Sequence, residues 1–286
     1  MQFTNSVIEL MQKRMSVRTY SPRKIEQIAK EKLKQCLSER LSSPWGGTVR
    51  FELVELPKMN PKEKKRLGTY GFIQGAQNFI VGASEKSPYD LEHFGFVMEK
   101  VILCATELGL STCWVGGTLK RNRFADQINT TDNETVPAIS PIGYAAENRS
   151  KIDKLAKWAA RSENRRPWET LFFESEFKRV LSREKAGKYE IPLEMIQIAP
   201  SASNRQPWRV IKEIDTNNFH FFILRKRSWY SRFLVWPDFP RMDLGIAACH
   251  FHLATQELGL DGSWKFMQSK ISIPVQFQYI ISWISN

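Results

Sequence analysis

Two stretches of the chain, Phe94–Leu108 and Leu244–Leu258, repeat apolar residues at helical spacing. Each runs into Glu-Leu-Gly-Leu, at 107–110 and 257–260, so a glycine stands just past the helix, where left-handed backbone is needed. A Trp-bearing segment of strand character follows each, with Trp114 in one and Trp264 in the other. The two stretches match at one offset (257 − 107 = 150), which also pairs Gly95 with Gly245. This predicts one long core helix per copy.

The match continues on both sides with other spacings, as expected where loops have changed length. Pro44-Trp45 pairs with Pro207-Trp208 at 163, and each precedes a β-rich run, Val49–Leu56 and Val210–Leu224. Ile139-Ser140-Pro141-Ile142 pairs with Ile281-Ser282-Trp283-Ile284 at 142, each read as a late strand. The period is too long for a solenoid. The pattern predicts a duplicated α+β domain: repeat 1 over residues 1–150, a charged connector over 151–170 and repeat 2 over 171–286. Two fused copies pack as the homodimer of their ancestor did, about a pseudo-two-fold axis, so the expected state is a monomer.

At 286 residues and 42% hydrophobic content the chain can bury a substantial core. No window approaches the roughly 20 consecutive apolar residues of a membrane-spanning helix, and Met1–Tyr20 lacks the apolar stretch of a signal peptide. Cys36, Cys104, Cys113 and Cys249 form no CxxC pair, which suits reduced thiols in a cytoplasm. His250 and His252 stand two apart on a helix with no acid or Cys at ligand spacing nearby, so no metal site is expected. The 42 Lys and Arg against 30 Asp and Glu leave a charge of +12, which attracts anions without defining a site.

Chemistry concentrates in a few segments. Lys13–Tyr20 alternates Arg14, Ser16 and Arg18 with Met15 and Val17. In extended backbone that sets two guanidinium groups and a hydroxyl on one side, a face suited to phosphate. An isolated R-x-S-x-R equally describes a basic segment leading into a helix from Pro22. The run Ala199–Trp208 sets Ser201, Ser203, Asn204 and Arg205 between Pro200 and Pro207, which makes a restrained polar loop.

With both segments in one chain, the sequence resembles the FMN-dependent nitroreductase superfamily, in particular nitroreductases with two fused copies. The resemblance covers nearly the whole chain and rests on R-x-S-x-R, on P-S-x-x-N-x-Q-P-W and on E-L-G-L followed by Trp. It implies a nitroreductase-like fold with one FMN between the repeats. Arg14, Ser16 and Arg18 are then expected on the phosphate, and Pro200, Ser201, Ser203 and Asn204 on the ribityl chain or flavin from across the interface. It further implies Val115, Gly116 and Gly117 beside the ring near N5, Arg165 and Arg166 returning to the phosphate, Tyr70 and Gly71 near the ring edge, and Arg205 as charge near N1 and O2. The opposite site is degraded in both halves: Leu37, Arg40 and Leu41 stand where Pro200, Ser203 and Asn204 would align, and Lys178–Arg183 lacks the alternating arginines.

The activity this implies is ping-pong reduction of a nitro compound or quinone by NADH or NADPH in the cytoplasm, with the flavin carrying the chemistry and no general base required. Two rivals stand beside it. A pseudoenzyme would keep the fold and bind flavin for storage or sensing, or not at all. A basic nucleic-acid-binding protein would account for the +12 charge and for Arg225–Tyr230, but not for the paired motifs.

Overall fold

The two long apolar stretches form the two central helices, and their contact organises everything else. A computed structural model describes residues 1–56, 73–117, 121–147, 164–225, 237–267 and 271–286. In chain order these form α1 (Val7–Lys13), α2 (Gln27–Ser38), β1 (Val49–Glu55), β2 (Asn78–Glu85), α3 (Asp90–Glu107), β3 (Ser111–Thr112), α4 (Arg121–Gln127), β4 (Glu134–Thr135) and β5 (Ile139–Gly143). There follow β6 (Phe172–Glu174), α5 (Arg183–Ala186), α6 (Glu190–Ile198), β7 (Trp208–Lys212), β8 (Phe219–Leu224), α7 (Phe239–Glu257), β9 (Gly262–Lys265) and β10 (Phe277–Ser285).

One sheet has the order β1-β2-β5-β3 with β4 on β2, and the other has β6-β7-β8-β10-β9. Four strands of each share a plan: an antiparallel pair, a long helix, an edge strand, then a last strand inserted between the pair and that edge. In the second sheet β6 adds a parallel strand beside β7. Helix α6 begins 163 residues after α2 (190 − 27), the offset that pairs the two Pro-Trp dipeptides. Strands β2, β5 and β7 are buried almost throughout, because both faces of their sheets are covered. Ile80 and Phe51 pack toward α3, while Val54, Phe79 and Val81 pack on the other face with Phe124 and Ile128 of the α4 region.

Helices α3 and α7 pack closely because each carries a glycine at the contact. A Cβ on Gly95 would lie 2.2 Å from the Met242 carbonyl oxygen, and one on Gly245 would lie 2.1 Å from that of Glu92. Both helices end as the sequence predicts, at Gly109 (φ 73°) and Gly259 (φ 62°). The glutamates of the two Glu-Leu-Gly-Leu motifs share a task. Glu107 accepts from the backbone of Thr4 and Asn5 at 2.8 Å each. Glu257 accepts from Ser6 Oγ at 2.6 Å and from the Val7 and Ile8 amides at 2.5 and 3.2 Å. Glu257 thus satisfies the first amides of α1, and Glu107 holds the segment that leads into it, which ties the start of α1 to α7 and α3.

Several expectations need correction. Cys36 and Cys104 are joined by a disulfide that leaves out Cys113 and Cys249; residues 68 apart in sequence meet because α2 packs on α3. The run Val210–Leu224 is two strands, since residues 213–218 turn between them with Asp215 at φ 54°. The helix after Pro22 begins only at Gln27. Trp264 lies within β9, but Trp114 lies two residues past the short β3. Among the described residues no helix is long and apolar enough to cross a membrane.

Candidate functional site

Helix α1 stops at Lys13, where Arg14 turns extended (φ −61°, ψ 125°) while its amide still donates to Leu10 O. The chain then pairs with two neighbours: Ser16 bridges Thr112, the Val17 amide donates to Thr112 O at 2.9 Å, and Gln74 exchanges hydrogen bonds with Arg18 and Tyr20. Val17 is buried as the alternation predicts. Met15 departs from it at 48% exposure, because the strand pairing that fixes the alternation starts only at Ser16.

Arg14 is 9% exposed, and its Nε and Nη1 have no hydrogen-bond partner. Its Nε lies 3.7 Å from Glu99 Oε1, in the middle of α3. Glu99 is fully buried and is the meeting point of both halves. Its Oε2 accepts from Trp114 Nε1 at 2.8 Å, and its Oε1 lies 3.0 Å from His250 Nε2 on α7. His250 Nδ1 lies 2.9 Å from Met195 O, an acceptor, so that nitrogen carries a proton.

Arg165 reaches the same place from the segment after the first half. Burial, and after it the charge of Arg14, push its guanidinium down to about 10, against the opposing pull of Glu99. The buried Arg14 guanidinium and the half-buried Arg165 guanidinium thus act on one carboxylate, and one positive charge stays uncompensated among these three. Such a group of donors is suited to an anion.

Arg165 also ties the Ala199–Trp208 loop in place. Its Nη1 donates to Ala199 O at 3.0 Å and to Asn204 Oδ1 at 2.8 Å, while Asn204 Nδ2 donates to Asn164 O. Gln206, 1% exposed, accepts the Arg166 amide at 2.9 Å and donates to Asn204 Oδ1 at 3.0 Å. Ser201 Oγ accepts the Gln206 amide at 2.9 Å. Ser203, Asn204 and Gln206 all have φ near +50°, a region that costs an L residue about 1–3 kcal/mol. Such strain within four residues persists only where the surroundings impose it. Here the surroundings are Asn164–Arg166 on one side and α7 on the other, where Asp243 Oδ1 accepts the Ala202 amide at 2.9 Å. Burial raises the Asp243 carboxyl to about 8, although the Ala202 amide and Arg205 pull the other way.

The segment after β3 arrives on the same helix. Val115 pairs with Ile139 through two 2.9 Å hydrogen bonds, and Gly116 follows against Phe239, whose ring would stand 2.8 Å from an added Cβ. Arg14, Ser16 and Arg18, the Val115–Gly117 turn, Arg165 and the loop bearing Pro200, Ser201, Ser203, Asn204 and Arg205 are therefore gathered around α3 and α7. The Asn204 carboxamide is spent inside the protein, Pro200 is buried, and Ser203 and Arg205 are exposed. Arg166 turns away from Arg14, donating from Nε to Arg205 O at 3.0 Å. Tyr70 and Gly71 lie outside the described residues.

The positions that mirror this site in sequence are differently employed. Arg179 pairs with Glu174 at 2.7 Å, Arg183 pairs with Glu190 at 2.8 Å and with Glu194, and Ser182 caps α5. Leu37 is buried at the end of α2.

Sequence reasoning did not single out Glu99, His250 or Asp243. One signal was present: each is an ionisable side chain within an apolar helical stretch, and Glu99 lies four residues past Gly95, one turn along the face that meets α7. Their partners, however, include residues 41, 55 and 151 positions away, Ala202 for Asp243, Met195 for His250 and His250 for Glu99, and no local pattern reports that.

The sequence matches, over residues 6–255, the model of a protein family described as Putative TM nitroreductase. Among solved structures, a putative nitroreductase from Thermotoga maritima MSB8 aligns over 100% of this chain and 96% of its own, at 19% identity and a TM-score of 0.59. An FMN-dependent nitroreductase from Clostridium difficile R20291 aligns over 50% of this chain and 90% of its own, at 23% identity and a TM-score of 0.40. A nitroreductase with bound FMN from Bacteroides fragilis NCTC 9343 aligns over 51% and 92%, at 21% identity and a TM-score of 0.41. The first likeness shows a shared fold along the chain. No curated protein matches it.

Proposed function

Because the chain belongs to the Putative TM nitroreductase family, we propose that it is an FMN-dependent oxidoreductase with one flavin site between its two halves, reducing a nitro compound or quinone with NADH or NADPH. The observation that carries this is the convergence of Arg14 and Arg165 on Glu99, with Nε and Nη1 of Arg14 buried and without hydrogen bonds. A phosphate monoester fits that arrangement, since it supplies both the missing acceptors and the missing negative charge.

FMN, when bound, supplies the two-electron carrier between nicotinamide and acceptor. The chain's residues bind and orient it. Arg14 and Arg165 hold the phosphate, with Ser16 and Arg18 on the same extended segment. The strained loop presents Ser203 and Arg205 from the other half, and Arg205 offers positive charge to a reduced ring. Gly116 and Gly117 offer backbone N–H groups at close approach. Asn204 acts through Arg165, by holding it.

The same proposal makes the chain an internal duplication, with repeats at 1–150 and 171–286 joined by 151–170, packed as a pseudo-dimer and monomeric in solution. The shared strand order and the reciprocal Gly95 and Gly245 contacts support it. The contrast between Arg14 and the locally paired Arg179 and Arg183 supports a single live site.

An absorbance spectrum of the purified chain, with flavin quantified after heat release, tests the proposal. A flavin spectrum with one FMN per chain, bleached anaerobically by NADH or NADPH, is the expected outcome. Failure to retain FMN after reconstitution and dialysis would remove the enzyme reading and leave the fold.

A further inference from the structure

Strand β7 begins with Trp208 and Val210 in the inner core, so alternation sends the intervening Arg209 to the opposite face of the sheet, beside Phe222 on β8. Arg209 is 6% exposed. Its Nη1 donates to two main-chain oxygens, Gln206 O at 3.1 Å and Trp208 O at 2.5 Å. Among the described residues no carboxylate pairs with it. The two guanidinium groups sit on successive carbonyls, Arg166 Nε on Arg205 O and Arg209 Nη1 on Gln206 O, and burial, with the charge of Arg166 added to it, pushes the Arg209 guanidinium down to about 10. Arg166 spends its Nε on Arg205 O and likewise has no acidic partner among the described residues.

A buried guanidinium beside a second one is unfavourable unless something negative compensates it. This pair is separate from the Arg14 and Arg165 pair: Arg165 Nη1 is held on Ala199 O and Asn204 Oδ1 and feels Arg14 and Glu99, whereas Arg166 Nε is held on Arg205 O and its charge acts on Arg209. We propose that Arg166 and Arg209 form a second anion site that takes a phosphate group, with both guanidinium groups donating to its oxygens. A phosphate monoester fits better than a carboxylate, because its two negative charges match two adjacent guanidinium groups. Two sources carry that chemistry: a free phosphate ion, and the extra phosphate that distinguishes NADPH from NADH. Only the second source rests on the oxidoreductase proposal.

Thermal unfolding in inorganic phosphate, against chloride buffer of equal ionic strength, tests the site. The wild-type chain is expected to gain about 2–4 °C more from phosphate than Arg209→Met. In chloride Arg209→Met should be at least as stable as wild type, because it replaces an uncompensated buried charge with an apolar chain. Arg166→Met, at a half-buried position, provides a second variant and should lose the same phosphate-dependent gain. Equal gains in wild type and both variants would overturn the proposal. Phosphate bound at Arg14 and Arg165 raises all three proteins alike, so this comparison holds whether or not the chain binds flavin. Repeating it with NADPH and NADH assigns the source: a gain from NADPH over NADH that Arg209→Met abolishes places the dinucleotide there, and a gain from phosphate alone makes the free ion the occupant.

Discussion

Gly95 and Gly245 stand 150 residues apart, and each lets its helix meet the backbone of the other, at Met242 and at Glu92. The contact is reciprocal, so a side chain at either position must separate α3 from α7. Glu99 and His250, which meet at 3.0 Å, lie one turn or more farther along those helices. The glycines therefore set the spacing of the buried carboxylate that faces Arg14.

Gly95→Ala and Gly245→Ala are each expected to destabilise the chain by about 1–3 kcal/mol or more, since the backbone oxygens they strike cannot swing aside. Urea unfolding followed by far-UV circular dichroism would show this as a lower midpoint. Wild-type stability in both variants would mean that the helices are not in backbone contact.

Glu257 acts on the site from a distance. It holds the first amides of α1, and α1 ends one residue before Arg14. Glu257→Ala should cost about 1–3 kcal/mol, the range for hydrogen bonds to a charged group, and should weaken FMN binding by letting α1 shift. Glu107→Ala, whose partners Thr4 and Asn5 precede the helix, should cost less and leave FMN affinity unchanged. Melting temperatures and FMN titrations of the two variants separate these effects; the same FMN affinity in both would show that α1 does not position Arg14.

Arg14→Met is expected to raise the Kd for FMN by about 10- to 100-fold, as loss of a charge-assisted phosphate contact does. Arg179→Met should leave it unchanged, because Arg179 is committed to Glu174 in the mirrored segment. Fluorescence titration of FMN against the three proteins provides the readout, and parallel losses would rule out a single live site.

The elements that the repeated pattern predicted were legible because their periodicity is local. The helix pair, the terminal glycines and the late strands all appear where their spacing places them. The alternation in the Arg14–Tyr20 segment was legible in part, since Val17 is buried as a period of two requires while Met15 is exposed. Contacts between distant segments were not legible. Cys36 and Cys104 read as separate thiols, yet they are bonded. Arg165 and Arg166 read as one motif, yet Arg165 donates to Ala199 O and Asn204 Oδ1 while Arg166 donates to Arg205 O. Asn204 read as a ligand contact, but its amide holds Arg165 and Asn164.

Asp243 gives the site a dependence on pH whose sign follows from its burial. Its carboxyl ordinarily titrates near 3.8 and is raised to about 8 in the folded chain. The folded state then keeps a proton that the unfolded state loses. Its contribution to stability is complete below about pH 4 and is lost as pH rises through about 8, with a slope of at most about 1.4 kcal/mol per pH unit for one proton. Buried His93 and His252, both lowered to about 4, act in the opposite sense, since they stay neutral in the fold and favour unfolding as pH falls below about 6.5. A whole-protein profile mixes these terms, so the comparison must be with Asp243→Asn, which keeps an acceptor for the Ala202 amide but cannot ionise. Between pH 5 and 8.5 the wild type should lose stability relative to this variant. The same titration should loosen the loop that Asp243 holds through Ala202, so FMN affinity should fall in wild type above pH 8 and stay level in Asp243→Asn. Urea midpoints and FMN titrations across that range measure both. Parallel pH profiles for the two proteins would show that Asp243 is ionised throughout, with a charge compensated by Arg205.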